Sequence, residues 1–452
     1  MDHVELPVTS EAARAVRAGY PIVYRPQLGG RTKALSSGVF VDLLDGRNFV
    51  GRGLFDENGP AAVRILSRDR KQEIDAEFWR AGVERSLDLR RTLVNLHHTD
   101  AWRAVNSEGD FLPGLVVETY SSYAVLRLET EALRPHLGSI LDAVRSTLQP
   151  RGLYEKRRAE DGPRGHHLGG STAPDALPVR EGNLRFLARL AEGEQTGFHI
   201  DLREARRVLA RYARGRQVVN AFSFTGTLSL TAAAAGSPRV VSVDPSPRST
   251  AWSRENFAAN GLPPESHEFI TGDPGEVLGR IHASTRRFDL AVVENPYFVD
   301  PPPAPRGPSG RNSRPRPKKG SSGHSASKKG HGTAKHGGSR AKKGGRRRMA
   351  PERRMAPGGG SDGDPQARFR RGYGDLVRAA IGVLQPAGLL ACTLHEKDLG
   401  FADFLGMLRE SAAAMGRNLQ VLECHGLPPD FPLNPAYPQG DYMKFVVCTL
   451  RA

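Results

Sequence analysis

Cysteine is scarce in this sequence. The chain of 452 residues has three, Cys392, Cys424 and Cys448, and none of them forms a C-x-x-C spacing. This argues against a disulfide framework and against a structural zinc site, and it is typical of proteins in a reducing cytoplasm.

Long apolar runs are missing as well. No stretch approaches the roughly 20 apolar residues that cross a bilayer. The N-terminal segment MDHVELPV lacks the basic-then-apolar pattern of a signal peptide. We therefore expect a soluble, cytoplasmic protein with no membrane and no metal partner.

Acidic residues are almost absent from one segment. Residues 301–360 contain 17 Lys and Arg but one acid, Glu352, so this segment carries +16, the net charge of the whole chain. The composition predicts a disordered basic insertion over 301–362, because it cannot bury enough apolar surface to order itself. Basic pairs spaced by Gly and Ser suit phosphate contacts to RNA, with an affinity that falls steeply with salt. The alternative is a tolerated loop expansion whose charge only aids solubility.

The rest of the chain divides into three predicted regions. Residues 1–75 contain short β-type runs (GVFVDLL, NFVGRGLF, AAVRILSR), which favour a small barrel or sandwich. Residues 76–184 show a helix, several strands, a second helix at about 133–147 and a loop or linker at 160–180, which together predict an α+β domain. From residue 185 to 452, helices and strands alternate, which predicts an open, mostly parallel sheet. In such sheets ligands bind beyond the carboxyl ends of the strands.

A glycine-rich phosphate loop is absent from this sheet. The first strand runs into NAFSFTGTLSL, where Gly226 stands alone instead of a G-x-G-x-x-G pattern, and there is no Walker lysine. Asp244 ends the second strand (VVSVD), where a carboxylate can accept from both ribose hydroxyls. Asp273 ends the third strand (FITGD), where it can accept from an adenine amine. Ribose plus adenine without phosphates indicates S-adenosylmethionine, although acids at such positions also cap the helices that follow.

Several segments resemble a known family. TGFHIDLREARRVL, VVNAFSFTGTLSLTAAAAG, VVSVDPS and WSRENFAANGL are similar to the bacterial 23S rRNA (cytosine-C5) methyltransferases, as are VNSEGDFLPGLVVETY (105–120) and NPAYPQGDYMKF (434–445). The resemblance covers nearly the whole chain except 301–360. It implies an N-terminal PUA-like domain, a middle domain and a Rossmann-like class I methyltransferase domain, with S-adenosylmethionine as cofactor and RNA, in particular 23S rRNA, as substrate. The cofactor contacts it implies are Asp201, Arg203, Phe222, Ser223, Thr225, Gly226, Asp244 and Asp273.

The sequence differs from this family at the positions of the family's catalytic residues. The family's D-P-P-S-F is replaced by E-N-P-Y-F (294–298), and the alignment places His395 where cytosine-C5 enzymes carry a nucleophilic cysteine. C5 chemistry needs a thiolate that adds at C6 first. Cys392 lies three residues before His395, too far along a strand and on its opposite face, so we expect it to be buried in the core.

The segment 294–298 offers two alternative catalytic arrangements. Asn295-Pro296-Tyr297 partly matches the N-P-P-Y motif of amine methyltransferases, so Asn295 can accept the amine hydrogens while Tyr297 or Phe298 stacks on a flipped-out base. In the other arrangement Glu294, in the place of the family's aspartate, is the acceptor. His395 is either a base near the target or a hydrogen-bonded core histidine.

Two functions follow from these observations. The first is an S-adenosylmethionine-dependent RNA methyltransferase that acts on large-subunit rRNA. The alternative is a catalytically inactive homologue that binds RNA and serves as a scaffold in ribosome assembly, because the altered segment lacks the family's catalytic pattern.

Overall fold

The computed structural model describes residues 3–30, 32–157, 164–192, 196–294 and 365–451. The described residues up to 294 and those from 370 onward belong to one compact unit. The basic insertion lies outside the described residues. No helix in the described ranges is long and apolar enough to cross a membrane. The division into domains at 75/76 and 184/185 stays a prediction.

The N-terminal region forms a mixed sheet with one short helix. Its elements are β1 (Val4–Pro7), α1 (Ser10–Arg17), β2 (Ile22–Tyr24), β3 (Phe40–Asp45), β4 (Asn48–Phe55) and β5 (Ala61–Ser67). The described strands are ordered β1-β3-β4-β5-β2. Helix α1 starts where the Thr9 hydroxyl accepts from the Ala12 N–H, and its Val16 packs into the core of this sheet. The three predicted strands are confirmed as β3, β4 and β5.

The middle region forms a second sheet covered by two helices. Its elements are α2 (Ala76–Leu93), β6 (Ala101–Asn106), β7 (Leu115–Tyr120), β8 (Tyr123–Leu128), α3 (Leu137–Leu148), β9 (Gly152–Arg157) and β10 (Arg164–Gly170). The described strands are ordered β10-β9-β8-β7-β6. The hairpin of β11 (Leu177–Glu181) and β12 (Leu184–Ala188) follows.

The predicted loop at 160–180 is wrong for residues 177–180, which belong to β11, and for residues 164–170, which form β10 and pair antiparallel with β9. A Cβ at Gly165 would lie 1.9 Å from the Leu190 carbonyl oxygen, and one at Gly170 would lie 2.4 Å from the Arg151 carbonyl oxygen. The close approach of these backbones therefore requires glycine. A glycine-rich stretch does not show the residue pattern of a strand, so sequence analysis does not predict β10.

The C-terminal region forms the sheet that carries the candidate site. Its elements are α4 (Arg203–Ala213), β13 (Gln217–Ala221), α5 (Thr227–Ala234), β14 (Arg239–Asp244), α6 (Pro247–Ala259), β15 (Glu268–Thr271), α7 (Pro274–Ala283), β16 (Phe288–Val293), α8 (Pro365–Gly382), β17 (Leu384–His395), α9 (Phe401–Ala413), β18 (Asn418–His425) and β19 (Met443–Arg451). The described strands are ordered β15-β14-β13-β16-β17-β19-β18. Strands β13 to β17 are parallel, and β19 is antiparallel to both of its neighbours. The predicted open, mostly parallel sheet is confirmed, and the carboxyl ends of β13, β14, β16 and β17 meet at one edge.

Candidate active site

The loop after β13 is built around the carboxylate of Asp244 at the tip of β14. Phe222 and Phe224 adopt left-handed backbone conformations, with φ of 57° and 48°. These conformations turn the Phe224 N–H toward Asp244 Oδ2 at 2.8 Å, while the Ser246 N–H donates to Oδ1 at 2.9 Å. Burial raises the pKa of Asp244, and the two backbone donors oppose that shift. The carboxylate is thus held in place and keeps lone pairs free for further donors.

Close packing fixes the remainder of this loop. Gly226 has φ of 74°, and a Cβ there would lie 1.9 Å from Ser253 Oγ, so only glycine fits. The Thr225 hydroxyl donates to the Gly197 carbonyl oxygen at 2.6 Å, and the Ser223 N–H donates to the Val243 carbonyl oxygen at 3.0 Å. The loop is therefore tied both to β14 and to the segment that precedes α4.

Glu294 follows β16 and is buried beside β13. Its Oε1 accepts from Asn220 Nδ2 at 2.7 Å, and Asn220 Nδ2 also donates to Ser229 Oγ at 2.9 Å. Burial raises the pKa of Glu294 to about 8; the Asn220 hydrogen bond lowers it and the charge of Asp244 raises it. Asn295, Pro296 and Tyr297 lie outside the described residues, so their predicted roles stay predictions.

Four polar side chains from three segments of the chain meet next to this loop. We call His199, Asp201, His395 and Tyr442 the histidine–aspartate cluster. The Tyr442 hydroxyl donates to Asp201 Oδ2 at 2.9 Å; His395 Nε2 lies 3.7 Å from Oδ2, and His199 Nδ1 lies 3.8 Å from Oδ1. The His199 ring contacts the Phe224 ring edge-on at 5.2 Å, which connects the cluster to the loop after β13.

The cluster contains unsatisfied buried atoms. Asp201 Oδ1 and His395 Nε2 have no hydrogen-bond partner among the described residues. Burial lowers the pKa of His199 to about 4 and lowers that of His395, so both imidazoles are neutral at physiological pH. Burial alone would raise the pKa of Asp201, but the two histidines and Arg103 lower it. An ionised carboxylate with an open acceptor position therefore faces a neutral imidazole with an open nitrogen.

Arg203 and Asp273 have structural partners as well. One guanidinium nitrogen of Arg203 donates to Asp430 Oδ2 at 3.2 Å and to the Ala101 carbonyl oxygen at 2.7 Å. Asp430 also accepts from the Arg103 N–H at 2.8 Å. Asp273 is exposed and caps α7 by accepting from the Glu276 N–H at 2.9 Å. The predicted cofactor contacts of Arg203 and Asp273 stay predictions.

Cys392 is fully buried inside β17, as predicted. Burial, together with the neighbouring Cys448, raises the pKa of its thiol well above the ordinary value. Cys448 is also buried, and Cys424 is exposed on β18. No group of three or more His, Cys, Asp or Glu side chains is placed to hold a metal ion within the described ranges.

Sequence reasoning did not single out Asn220, His199 or Tyr442. His199 and Tyr442 lie inside the segments TGFHIDLREARRVL and NPAYPQGDYMKF, which carry the family resemblance, but nothing in either segment marks these two side chains as functional. Tyr442 is identified by its hydrogen bond to Asp201 and Asn220 by its hydrogen bond to Glu294; both contacts join residues that are far apart along the chain, which one sequence does not show. The signal available for His199 is its position two residues before Asp201.

Comparison with known proteins defines the class. A family model for S-adenosylmethionine-dependent methyltransferases matches residues 108–302, and a model for PUA-like domains matches residues 6–68. The solved structure of SMU.776, assigned as a methyltransferase and determined in complex with SAH, superposes with a TM-score of 0.77 at 20% identity, covering 99% of this chain and 100% of that one. The protein thus has the fold of an S-adenosylmethionine-dependent methyltransferase with an N-terminal PUA-like domain.

The relatives narrow the class to a family. The ribosomal RNA large subunit methyltransferase of Deinococcus radiodurans is 31% identical over 309 residues, which cover 66% of this chain and 76% of the relative. Ribosomal RNA large subunit methyltransferase I of Pseudoalteromonas atlantica is 23% identical over 95% of each chain. The chain belongs to the ribosomal RNA large subunit methyltransferase family.

Proposed function

We propose that this protein transfers the methyl group of S-adenosylmethionine to a base of large-subunit ribosomal RNA, and that the acceptor is a base nitrogen rather than C5 of cytosine. The observation that carries the choice of acceptor is the position of the cysteines. All three lie in described residues, two are buried in the sheet, and the third is exposed on the outermost strand β18. Methyl transfer to C5 needs a reactive thiolate, whereas transfer to a nitrogen needs no covalent step.

The residues at the strand tips suit this cofactor. The anchored carboxylate of Asp244 offers acceptors for two ribose hydroxyls. The open Oδ1 of Asp201 is a buried anionic acceptor, which suits the ammonium group of the methionine moiety. When bound, the cofactor supplies an electrophilic methyl group.

Two groups of this chain are suited to accept the proton that an amine loses on methylation. Glu294 has a pKa of about 8, so its carboxyl can take up and release a proton near physiological pH. His395 is neutral and its Nε2 has no partner among the described residues, so that nitrogen can accept a proton. Asp201, 3.7 Å from Nε2, would then stabilise the imidazolium that forms.

Methyl transfer to purified rRNA tests the proposal. Tritiated S-adenosylmethionine is incubated with unmodified 23S rRNA, and the digested nucleosides are identified by mass spectrometry. We expect an N-methylated nucleoside, undiminished transfer by C392S and a strong loss with E294Q. A 5-methylcytosine product would refute the choice of acceptor. Binding of rRNA without cofactor binding or transfer would instead support the inactive scaffold.

A further inference from the structure

The turn between β6 and β7 presents an aromatic side chain to solvent. Phe111 is 61% exposed and has φ of 58°, a left-handed backbone conformation that residues other than glycine seldom adopt. It lies in VNSEGDFLPGLVVETY, a segment that contributes no residue to the methyltransferase site described above. An exposed aromatic ring on a strained backbone needs a rigid support.

A buried network provides that support. Arg90 is fully buried, and one of its guanidinium nitrogens donates to Asp110 Oδ2 at 2.7 Å and to the Asp430 carbonyl oxygen at 2.9 Å. Asn106 Nδ2 donates to the Pro432 carbonyl oxygen at 3.0 Å. The turn also approaches Pro432 so closely that a Cβ at Gly109 would lie 1.8 Å from its carbonyl oxygen. These buried polar contacts and the close backbone approach at Gly109 therefore hold the turn, and with it the Phe111 ring, in place.

A cavity of about 320 Å³ opens beside the ring. Tyr20, Arg68, Pro113 and Asn434 line it together with Phe111, and we call it the Phe111 pocket. An aromatic face and a guanidinium are groups that stack on an unpaired base and hydrogen-bond its edge. The buried amide of Asn434 bonds the backbone of Gly19 and Ala436 and forms the wall of the pocket. Tyr20 precedes β2 and Arg68 follows β5, so the pocket lies between loops of the N-terminal region and the β6–β7 turn.

The Phe111 pocket borders a second cavity, which is lined by residues that follow β17 and by residues around the start of β19. Asn434 lines both, and the second cavity, of about 570 Å³, is also lined by Lys397, Tyr437 and Lys444. Lys397 is exposed and follows the end of β17, two residues after His395. A strand whose target base lies at the active site would therefore pass a basic side chain before it reaches the Phe111 ring.

We infer that Phe111 is a stacking platform for an unpaired base of the RNA strand, outside the site of methyl transfer. The inference rests on the proposed function, because it assigns a second contact to the same substrate. Stacking on an exposed ring tolerates any base and involves no counterion release. The ring therefore raises RNA affinity by a factor that does not depend on salt.

Variants at position 111 separate stacking from a structural role. F111G relieves the left-handed conformation, since glycine adopts it freely, so its thermal midpoint should stay within a few degrees of the parent's. Its affinity for a labelled single-stranded oligoadenylate should fall about 5- to 150-fold, the loss expected for one base–aromatic stack. F111W should keep the affinity, and its added tryptophan emission should be quenched by the strand.

The ligand and the salt concentration provide the controls. An abasic strand of equal length carries the same phosphates, so parent and F111G should bind it equally. The ratio of their affinities for oligoadenylate should hold across salt concentrations. Equal binding of oligoadenylate by parent and F111G, in a parent that methylates rRNA, would overturn the inference alone. A parent that neither binds nor methylates RNA would overturn the proposed function and this inference with it.

Discussion

Asn220 Nδ2 donates to Glu294 Oε1 at 2.7 Å, so the tips of β13 and β16 are joined by a buried amide and a buried carboxyl. The pair has few charges near it that would favour ionisation, and burial raises the pKa of Glu294 to about 8. The carboxyl that replaces the family's aspartate is consequently a proton-carrying group at physiological pH.

The first prediction concerns the pH dependence of folding. The folded pKa of Glu294, about 8, is above the ordinary value of 4.5, so the native state holds a proton that the unfolded state has released. The contribution of this proton to the free energy of unfolding is fully present below about pH 4.5 and is lost as the pH rises toward 8. Each pKa unit corresponds to about 1.4 kcal/mol. E294Q cannot ionise and keeps the acceptor for Asn220, so it should match the parent at pH 5 and exceed its free energy of unfolding by at least about 1.4 kcal/mol at pH 9.

Urea denaturation at several pH values measures this difference. The exposed Glu410, which has Arg409 as its ion-pair partner, provides the matched control, and E410Q should follow the parent at each pH. Parallel pH profiles for E294Q and the parent would show that Glu294 is not protonated in the folded protein.

The second prediction concerns thiol reactivity. Cys392 and Cys448 are buried, and burial raises the pKa of each thiol, to about 12 for Cys448. Cys424 is exposed. A disulfide reagent should therefore react with about one thiol per native chain, and C424S should abolish this fast reaction. Fast modification of C424S, with loss of methyl transfer, would show a reactive thiol at the site.

The third prediction concerns the buried ion pair of Arg203 and Asp430. The carboxylate of Asp430 is fully buried and joins α4 to the middle sheet through Arg203 and Arg103. D430N removes the buried carboxylate that is hydrogen-bonded to Arg203 and leaves the more distant carboxylate of Glu181, 3.6 Å from Nε, as its counter-ion, which should cost about 3 to 5 kcal/mol of unfolding free energy.

An exposed ion pair is the control for that loss. Arg80 lies 2.6 Å from Glu77 on the solvent face of α2, and R80A should change stability by less than about 1 kcal/mol. Denaturant titration of the two variants compares them. A D430N variant as stable as R80A would mean that Arg203 is free for another role, such as the cofactor contact that the resemblance implies.

The fourth prediction concerns the basic insertion. Deleting 301–360 removes 17 basic residues and one acid while leaving the described sheet intact. RNA affinity should then depend less steeply on salt, because fewer counterions are released, while the affinity for S-adenosylhomocysteine stays unchanged. Filter binding over a range of salt concentrations gives the slope. An unchanged slope would favour the alternative that the insertion serves only solubility.

The sequence predicted the parts of this protein that local pattern determines. The alternation of helices and strands after residue 185 requires a mostly parallel sheet, and acids that follow strands predicted the edge where Asp244 and Glu294 lie. It did not predict β10, because close backbone approach requires glycine there. Nor did it predict the cluster around Asp201, whose Tyr442 lies 241 positions away along the chain. Only the folded chain brings such residues together.

Asp244 tests the central claim, which is that carboxylates at the carboxyl edge of the sheet bind S-adenosylmethionine. Calorimetric titration with S-adenosylhomocysteine compares the parent with D244N and D289N. Asp289 is the matched control, because it accepts from the Gln217 N–H at the amino end of β16, the opposite edge of the same sheet. We predict binding by the parent and by D289N, and a loss of about 10- to 100-fold for D244N, the magnitude of lost charge-assisted hydrogen bonds. Equal affinity of D244N and D289N, or no binding by the parent, would contradict the account.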